Sequence, residues 1–411
     1  MRSYAAEVLE RQVTLDDVRA AQELVAGVAL RTPVEQSRWL AGVAGSDVHL
    51  KCENLQRTGS FKIRGAYVRI SRLTDTERAA GVVAASAGNH AQGVALAAAI
   101  LDIGATVFMP EGAPIPKENA TRAYGADVRF AGASVDDALA AAQEHAASTG
   151  AVLIHPFDHP DVVAGQGTLG LELIEQVPAA ATVLVPCGGG GLLAGVATAM
   201  RALNPGVRLV GVQAEDAAAY PASIRAGEPV ALTAMSTIAD GIAVGRPGEV
   251  PLATVLRDVD EVVTVGEEAL SQALVLLLER TKQVVEPAGA AAVAALLDQP
   301  GRWPGPIVAV LSGGNIDPLL LLQVVRHGLA AAGRYLSFRV RIPDRPGELA
   351  RLLGLLADAR ANVLDVVHQR VSAQLHVDEV EVACQVETRG DAHRAGVVAR
   401  VREAGYPLAL V

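Results

Sequence analysis

A lysine beside an aromatic residue is the first feature of this chain that could carry chemistry. Residues 59–66 read GSFKIRGA, so Lys62 follows Phe61 and lies between two glycines. An amine that is partly removed from water has a lowered pKa and can attack an aldehyde as a nucleophile. Taken alone, the segment is better explained by an ordinary solvated lysine, although only four of the 35 basic residues are lysines.

An unbroken run of glycines is the second feature. Residues 188–191 are all glycine and separate a predicted strand from a predicted helix. Backbone amides in such a run can wrap closely around a phosphate. The pattern Gly189-x-Gly191-x-x-Ala194, with Glu215 about 20 residues further on, also fits a dinucleotide-binding loop. The run therefore indicates an anion site and leaves its ligand open.

Small polar residues after another predicted strand form the third feature. Residues 86–93 read SAGNHAQG and follow the apolar run 82–85. Backbone N–H groups at a strand-to-helix junction suit a carboxylate or a phosphate. An ordinary tight turn explains the same spacing, but a turn would not require the side-chain amide of Asn89.

Ser312 ends the last strand predicted for the sheet and opens the sequence SGGN at 312–315. Ligands of open α/β sheets bind at the carboxyl ends of the strands, so the Ser312 hydroxyl is placed to donate one hydrogen bond. A turn serine that bonds only to the backbone is the alternative. Two further glycine-rich stretches, 157–168 and 286–290, carry acidic residues, but neither identifies a reaction.

Alternating strands and helices must position these segments. A capped helix is predicted over 14–27, beginning at Thr14. Strands are then predicted at 82–85, 106–109, 127–130 and 152–154, with helices at 91–103, 116–124 and 135–148 between them. The rhythm resumes with strands at 183–186, 209–213, 262–265 and 307–311. This order is typical of parallel sheets covered on both faces, and it predicts two open αβ domains.

The pattern changes near residue 326. Predicted elements are then a strand at 336–342, a helix at 348–361, strands at 363–370 and 379–387, a helix at 392–404 and a strand at 407–411. The order βαββαβ is the ferredoxin-like arrangement. The predicted domains are a large one (1–50 and 151–325), a small one (51–150), a linker (326–335) and a C-terminal domain (336–411).

The composition excludes several classes of function. Acidic residues outnumber basic ones by 45 to 35, and the resulting net charge of −10 disfavours nucleic-acid or anionic-membrane partners. The N-terminus lacks the apolar stretch of a signal peptide, and no run of about 20 apolar residues occurs. The three cysteines are far apart, and the nine histidines lack metal-ligand spacing. We expect a cytoplasmic enzyme without a disulfide or metal site.

The four segments together imply a ligand with an aldehyde, a phosphate and a heteroaromatic nitrogen. Pyridoxal phosphate has all three. With these segments and GQGT at 165–168, all in family order, the chain resembles the fold-type II pyridoxal-phosphate enzymes. Within them it is similar to the threonine and serine dehydratase branch. The resemblance covers about residues 14–325, and it implies two αβ domains of the tryptophan synthase β type.

The resemblance also implies roles for individual residues. Lys62 would form the Schiff base with the cofactor. The other implied cofactor contacts are Phe61 near the pyridine ring, Asn89 at the 3′-oxygen, Gly188, Gly189, Gly190, Gly191 and the Leu192 amide at the phosphate, and Ser312 at the pyridine nitrogen. The implied substrate-carboxylate loop consists of Ser86, Ala87, Gly88, Asn89 and His90.

The implied reaction is dehydration of threonine to 2-oxobutanoate and ammonia, in which Lys62 removes the Cα proton. A hydroxyl at Ser312 cannot stabilise a protonated ring nitrogen by charge, and this suits β-elimination. Serine dehydration and serine racemisation remain alternatives, although racemases of this family usually carry a second serine where this chain has Ala87. A nicotinamide-dependent dehydrogenase would leave Lys62 and Ser312 without roles.

The C-terminal domain resembles an ACT-type regulatory domain through its marker Arg345, Pro346, Gly347, Glu348 and Leu349. This resemblance implies an allosteric homotetramer that isoleucine inhibits, with valine opposing it, at the first step of isoleucine synthesis. Backbone amides at this turn would hold the amino-acid carboxylate. A purely structural or oligomerising domain is the alternative, and a non-enzymatic amino-acid sensor would explain this domain alone.

Overall fold

The computed structural model describes residues 12–370, 376 and 378–410. The chain divides into two compact units, Met1–Leu321 and Leu322–Val411. The strands of the first unit are β1 (Val34–Gln36), β2 (Val48–Cys52), β3 (Val82–Ala85), β4 (Ala105–Met109), β5 (Asp127–Phe130), β6 (Val152–Leu153), β7 (Thr182–Pro186), β8 (Arg208–Ala214), β9 (Glu261–Val265) and β10 (Ile307–Leu311).

Helices cover both sheets of the first unit. They are α1 (Leu15–Val25), α2 (Arg38–Ala44), α3 (Lys62–Ser71), α4 (Asp75–Ala80), α5 (Asn89–Ile100), α6 (Ile115–Ala123), α7 (Val135–Thr149), α8 (Pro160–Gln176), α9 (Gly191–Leu203), α10 (Tyr220–Ala226), α11 (Glu249–Asp258), α12 (Glu267–Thr281) and α13 (Pro287–Asp298). Thr14 caps α1 as predicted, because its side chain accepts a hydrogen bond from the Asp17 amide. Among the described residues, none of the helices has the length and apolar character needed to cross a membrane.

Two separate sheets organise this unit. The larger has the order β1-β2-β10-β7-β8-β9, in which only the edge pair β1 and β2 is antiparallel. The smaller has the order β5-β4-β3-β6 and is parallel throughout. The predicted α/β fold class is therefore confirmed. Because parallel strands end at the same edge, the segments that follow β7 and β10 begin side by side.

The glycine-rich stretch 157–168 is largely helical, because α8 begins at Pro160. Its glycines let other helices approach closely. A Cβ on Gly165 would lie 2.6 Å from Gly65 Cα of α3, and one on Gly195 of α9 would lie 2.5 Å from the Gly167 nitrogen. Backbone therefore contacts backbone where α3 and α9 cross α8. The propensity of glycine for loops is overridden by this packing.

The second unit has the predicted βαββαβ order. Its first helix, α14 (Pro318–Ala331), begins just before the unit boundary. The remaining elements are β11 (Tyr335–Pro343), α15 (Glu348–Asp358), β12 (Asn362–Gln369), β13 (Glu379–Glu387), α16 (Asp391–Glu403) and β14 (Leu408–Leu410). The sheet order is β12-β13-β11-β14, and all its pairs are antiparallel. Alternate residues of β11 and β13 face a core with the apolar sides of α15 and α16. The last residue of the predicted final strand, 411, lies outside the described residues.

The predicted linker 326–335 requires a correction. Helix α14 continues through most of it, and the two units divide earlier, between Leu321 and Leu322. Gly328, which lies in the predicted linker, is buried within the helix. A single glycine costs a helix only about 1 kcal/mol relative to alanine, so the surrounding apolar residues keep the helical conformation.

Candidate active site

Lys62 is the first residue of α3, and Phe61 is its N-cap. The Lys62 Nζ donates a hydrogen bond to the Pro156 carbonyl at 3.0 Å and lies 5.1 Å from the centre of the Phe61 ring. Burial lowers the pKa of Lys62 to about 8, and the negative charge of Glu286 opposes this shift. A much larger fraction of the amine is therefore uncharged at neutral pH than for an ordinary lysine.

Contacts bring three of the four chemistry-bearing segments together around Lys62. Helix α5 passes so close that a Cβ on Gly93 would lie 3.1 Å from the Lys62 carbonyl carbon. The Phe61 amide donates to the Ser312 carbonyl at 3.2 Å. Ser60 also forms an antiparallel bridge with Gly313. The buried side chain of Ser312 follows directly on β10.

The glycine run forms a tight loop between β7 and α9. Gly190 has a φ of +96°, and a Cβ there would lie 1.8 Å from the Tyr220 Oη. A Cβ on Gly189 would lie 2.4 Å from the Phe157 ring. A side chain is excluded at Gly188 as well, because a Cβ there would lie 2.9 Å from Ile242 Cα. The loop therefore leaves only the backbone amides at the start of α9 to meet an anion.

The loop between β3 and α5 is organised by its own side chains. The Gly88 amide donates to the Ser86 Oγ at 3.1 Å. The His90 Nε2 lies 2.7 Å from the Ile154 carbonyl. Burial lowers the pKa of His90 to about 3, so the ring is neutral and donates from Nε2. The His90 side chain is therefore held by the Ile154 carbonyl, and the Gly88 amide by Ser86.

Two residues that the sequence interpretation missed complete the site. The Asn89 Nδ2 donates to the Glu286 Oε1 at 2.6 Å, and the Asn315 Nδ2 donates to the Asn89 Oδ1 at 2.8 Å. Burial, followed by the negative charge of Asp240, raises the pKa of Glu286 to about 7. The signal in the sequence for Glu286 was an acidic residue before Pro287, at the N-cap of α13, and Asn315 was the last residue of the motif at 312–315.

A buried ionic cluster is centred on Arg64, two residues after Lys62. The Arg64 guanidinium donates to both carboxylate oxygens of Glu53 at 2.8 Å and to Glu172 at 2.7 Å. The Lys51 Nζ donates to Glu172 at 2.5 Å and to the Thr32 carbonyl at 2.9 Å. The two positive charges are thus balanced by two carboxylates. Lys51, which lies in no motif that demands an amine, belongs to this internal structure.

A pocket of about 400 Å³ opens at the predicted regulatory turn of the second unit. Arg345, Gly347 and Leu349 line it, together with His368 and Arg370. Glu348 is the first residue of α15 and is not among the lining residues.

Comparison with known proteins decides the family. The family model described as "Pyridoxal-phosphate dependent enzyme" matches residues 25–313. The chain belongs to this family. It is 44% identical over 399 residues to the L-threonine ammonia-lyase of Thermotoga maritima, which covers 97% of this chain and 100% of that protein. The family resemblance inferred from the sequence is confirmed.

Solved structures of this family have the same fold as the first unit. A threonine deaminase of T.th. matches with a TM-score of 0.71 and 45% identity, over 74% of this chain and 99% of that one. The serine racemase of maize matches with a TM-score of 0.73 and 37% identity, over 78% of this chain and 99% of that one. The protein is a pyridoxal-phosphate-dependent enzyme of the lyase type.

The residues present fit pyridoxal phosphate. Lys62 supplies a buried amine of lowered pKa for the aldehyde, and the loop at residues 188–191 supplies backbone amides for the phosphate. Within the described part of the chain, the hydroxyls of Thr58 and Ser60 are buried without a hydrogen-bond partner in the segment that leads into Lys62. Unsatisfied polar groups are costly in an interior and are typical of a site that receives a ligand. The same described residues contain no cluster of three or more His, Cys, Asp or Glu that could hold a metal ion.

Proposed function

We propose that the protein deaminates L-threonine by β-elimination and releases 2-oxobutanoate and ammonia. The observation that carries this proposal is the buried Lys62 amine, which lies where the segments 59–66, 86–93 and 312–315 meet. The names and identities of the T. maritima ammonia-lyase and the T.th. deaminase support threonine as the substrate.

In this mechanism, one set of residues holds the substrate and Lys62 moves its proton. Pyridoxal phosphate, when bound, supplies the electron sink that makes the Cα–H bond acidic. Backbone amides of the loop from Ser86 to His90 hold the substrate carboxylate. The Lys62 amine takes the Cα proton, and the β-hydroxyl leaves as water after it accepts a proton from the phosphate of the bound cofactor. The enamine product takes up water and gives 2-oxobutanoate and ammonia.

Cofactor contacts follow the positions inferred from the sequence. In this proposal Phe61 packs near the ring, Asn89 donates to its oxygen substituent, and the Ser312 hydroxyl faces its nitrogen. Gly188, Gly189, Gly190, Gly191 and the Leu192 amide hold the phosphate. Leu192 is buried in the first turn of α9, so its contribution is made by the backbone.

Serine racemisation is the second candidate, because the maize racemase shares this fold. Racemisation needs an acid or base on the face of the substrate opposite to the lysine. Ala87 has no side chain that could serve. Dehydration of serine uses the same groups as dehydration of threonine, so only the relative rates separate these two substrates.

We expect the purified enzyme to release ammonia and 2-oxobutanoate from L-threonine faster than it releases pyruvate from L-serine at equal concentration. Steady-state turnover with each substrate, coupled to reduction of the 2-oxo acid, measures this directly. Measurement of D-serine on the same samples tests racemisation. Formation of D-serine without ammonia release would reject the elimination proposal.

The second unit is proposed to be an ACT-like regulatory domain that binds isoleucine as an inhibitor, with valine opposing it. The pocket beside Arg345 and Gly347 supports this, because its arginines suit a carboxylate and its apolar members suit a branched side chain. The full proposal includes a cytoplasmic homotetramer that serves isoleucine biosynthesis. Arg345, Gly347, Glu348 and Leu349 form its regulatory turn.

We expect Arg345→Ala in the full chain to weaken isoleucine inhibition by about 10- to 100-fold, the effect of losing a hydrogen bond to a charged group. Turnover without isoleucine stays unchanged. Arg339→Ala, which alters an exposed side chain on β11, is the matched control. Removal of residues 334–411 should abolish the inhibition altogether, and undiminished inhibition after that deletion would place the effector elsewhere.

A further inference from the structure

The side-chain amide of Asn89 is held at both of its ends. Its Oδ1 accepts from the Asn315 Nδ2 at 2.8 Å, and its Nδ2 donates to the Glu286 Oε1 at 2.6 Å. Glu286 is only 3% exposed, so water does not compete for this carboxylate. Asn89 therefore cannot rotate its amide without breaking two hydrogen bonds.

The orientation of the Asn89 amide is set, directly or through Asn315, by groups that can only accept a hydrogen bond. The Asn315 Nδ2 also donates to the Thr58 backbone carbonyl at 2.5 Å, and a carbonyl can only accept. The nitrogen of Asn315 must therefore face Asn89, whose oxygen must face it in return. An ionised Glu286 can likewise only accept. Since an amide nitrogen carries two hydrogens, one N–H of Asn89 remains for a ligand.

Glycines in two of the motifs make room for these partners. A Cβ on Gly313 would lie 2.3 Å from the Glu286 Oε1 and 3.1 Å from the Asn89 Nδ2. A Cβ on Gly59 would lie 2.3 Å from the Asn315 Oδ1. The Glu286 amide also donates to the Gly313 carbonyl at 3.1 Å. The lysine segment and the serine segment are thus built around the side chains that hold Asn89.

We propose that Glu286 and Asn315 are positioning residues, which fix the Asn89 amide so that its free N–H is presented to the oxygen substituent of the bound cofactor. This inference rests on the cofactor contact proposed for Asn89. Neither Glu286 nor Asn315 needs to touch the cofactor. Their effect on it passes through Asn89.

The charge of Glu286 determines at which pH this carboxylate helps to orient the Asn89 amide. The charged groups that act on it are Asp240, Lys117 and Lys62, each on a different element around α13. With a pKa of about 7, Glu286 is ionised above neutral pH and is then an acceptor only. Below that pH its carboxyl gains a proton that can be donated to an amide oxygen, so Glu286 no longer enforces the orientation of Asn89 and only the hydrogen bond from Asn315 still does.

Glu286→Gln in the full chain tests this arrangement, because glutamine keeps the size but can both donate and accept. We expect the variant to bind pyridoxal phosphate about tenfold more weakly than the wild type above the pKa of Glu286, and equally well below it. The dissociation constant is measured by absorbance titration at a series of pH values. No substrate is present, so failure of the proposed threonine reaction would not affect this result.

A double-mutant cycle with Asn89→Ala separates positioning from general damage. If Glu286 acts through Asn89, Glu286→Gln should cause no further loss of affinity in the Asn89→Ala background. Glu261→Gln is the control, because it alters a hydrogen-bonded carboxylate at the opposite ends of the strands, next to Trp303. Equal affinity of wild type and Glu286→Gln at every pH, or additive losses in the cycle, would overturn the proposal.

Discussion

Replacing Lys62 by alanine is expected to abolish ammonia release from threonine and to leave the cofactor unlinked to the protein. The variant removes both the nucleophile for the aldehyde and the base for the Cα proton. Loss of proton transfer alone lowers a rate by about 10²- to 10⁴-fold. Turnover is followed by 2-oxo acid formation, and linkage by borohydride reduction and mass measurement of the intact chain.

Two further variants show which property of Lys62 matters. Lys62→Arg retains the positive charge but not a basic amine, because an arginine side chain stays protonated. It should therefore be as inactive as the alanine variant. Lys282→Ala removes an exposed lysine and should behave as the wild type. Normal turnover in either Lys62 variant would exclude the assigned role.

Gly190→Ala is expected to lower the free energy of unfolding by about 2–5 kcal/mol and to weaken cofactor binding more than tenfold. A left-handed conformation costs alanine about 1–2 kcal/mol, and overpacking against Tyr220 adds about 1–3 kcal/mol. The loop must shift to relieve the 1.8 Å approach, and its amides then no longer converge on the phosphate. Urea unfolding and cofactor titration measure the two effects.

The chain offers a matched control and a partial rescue for this variant. Gly206→Ala places a methyl group whose nearest neighbour would be 3.9 Å away, and it should change neither quantity. Tyr220→Phe removes the hydroxyl that obstructs the new Cβ. In the Tyr220→Phe background, Gly190→Ala should lower the free energy of unfolding and the cofactor affinity by less, although the penalty for its φ of +96° remains. Equal damage in both backgrounds would show that the tyrosine is not the obstacle.

Local patterns were sufficient to predict most of the strands and the residues that follow them, although β1 and β2 were not predicted. The apolar runs that became β3, β7 and β10 each end at a chemistry-bearing segment, so strand periodicity and turn composition placed Ser86, the glycine run and Ser312 correctly at strand ends. Lys62 was identifiable only when its segment was considered together with the other three. These features depend on a few residues that are adjacent in the chain.

The partners of Asn89 could not be predicted in this way. Glu286 is 197 residues from Asn89, and Asn315 is 226 residues from it, so no local pattern connects them. The helix α8 was missed for a different reason. Its glycines resemble a loop in sequence, and only the helices packed against it explain why they are there.

The crossing of α3 and α9 over α8 has a consequence for the cofactor. Lys62 begins α3 and Gly191 begins α9, so the attachment points proposed for the aldehyde and for the phosphate lie at the first residues of two helices that pack on a third. Because backbone contacts backbone at Gly65, Gly165, Gly167 and Gly195, neither helix can slide without a steric clash. The span between the two ends of the cofactor is therefore fixed by the hydrophobic core, at a distance from the reacting atoms.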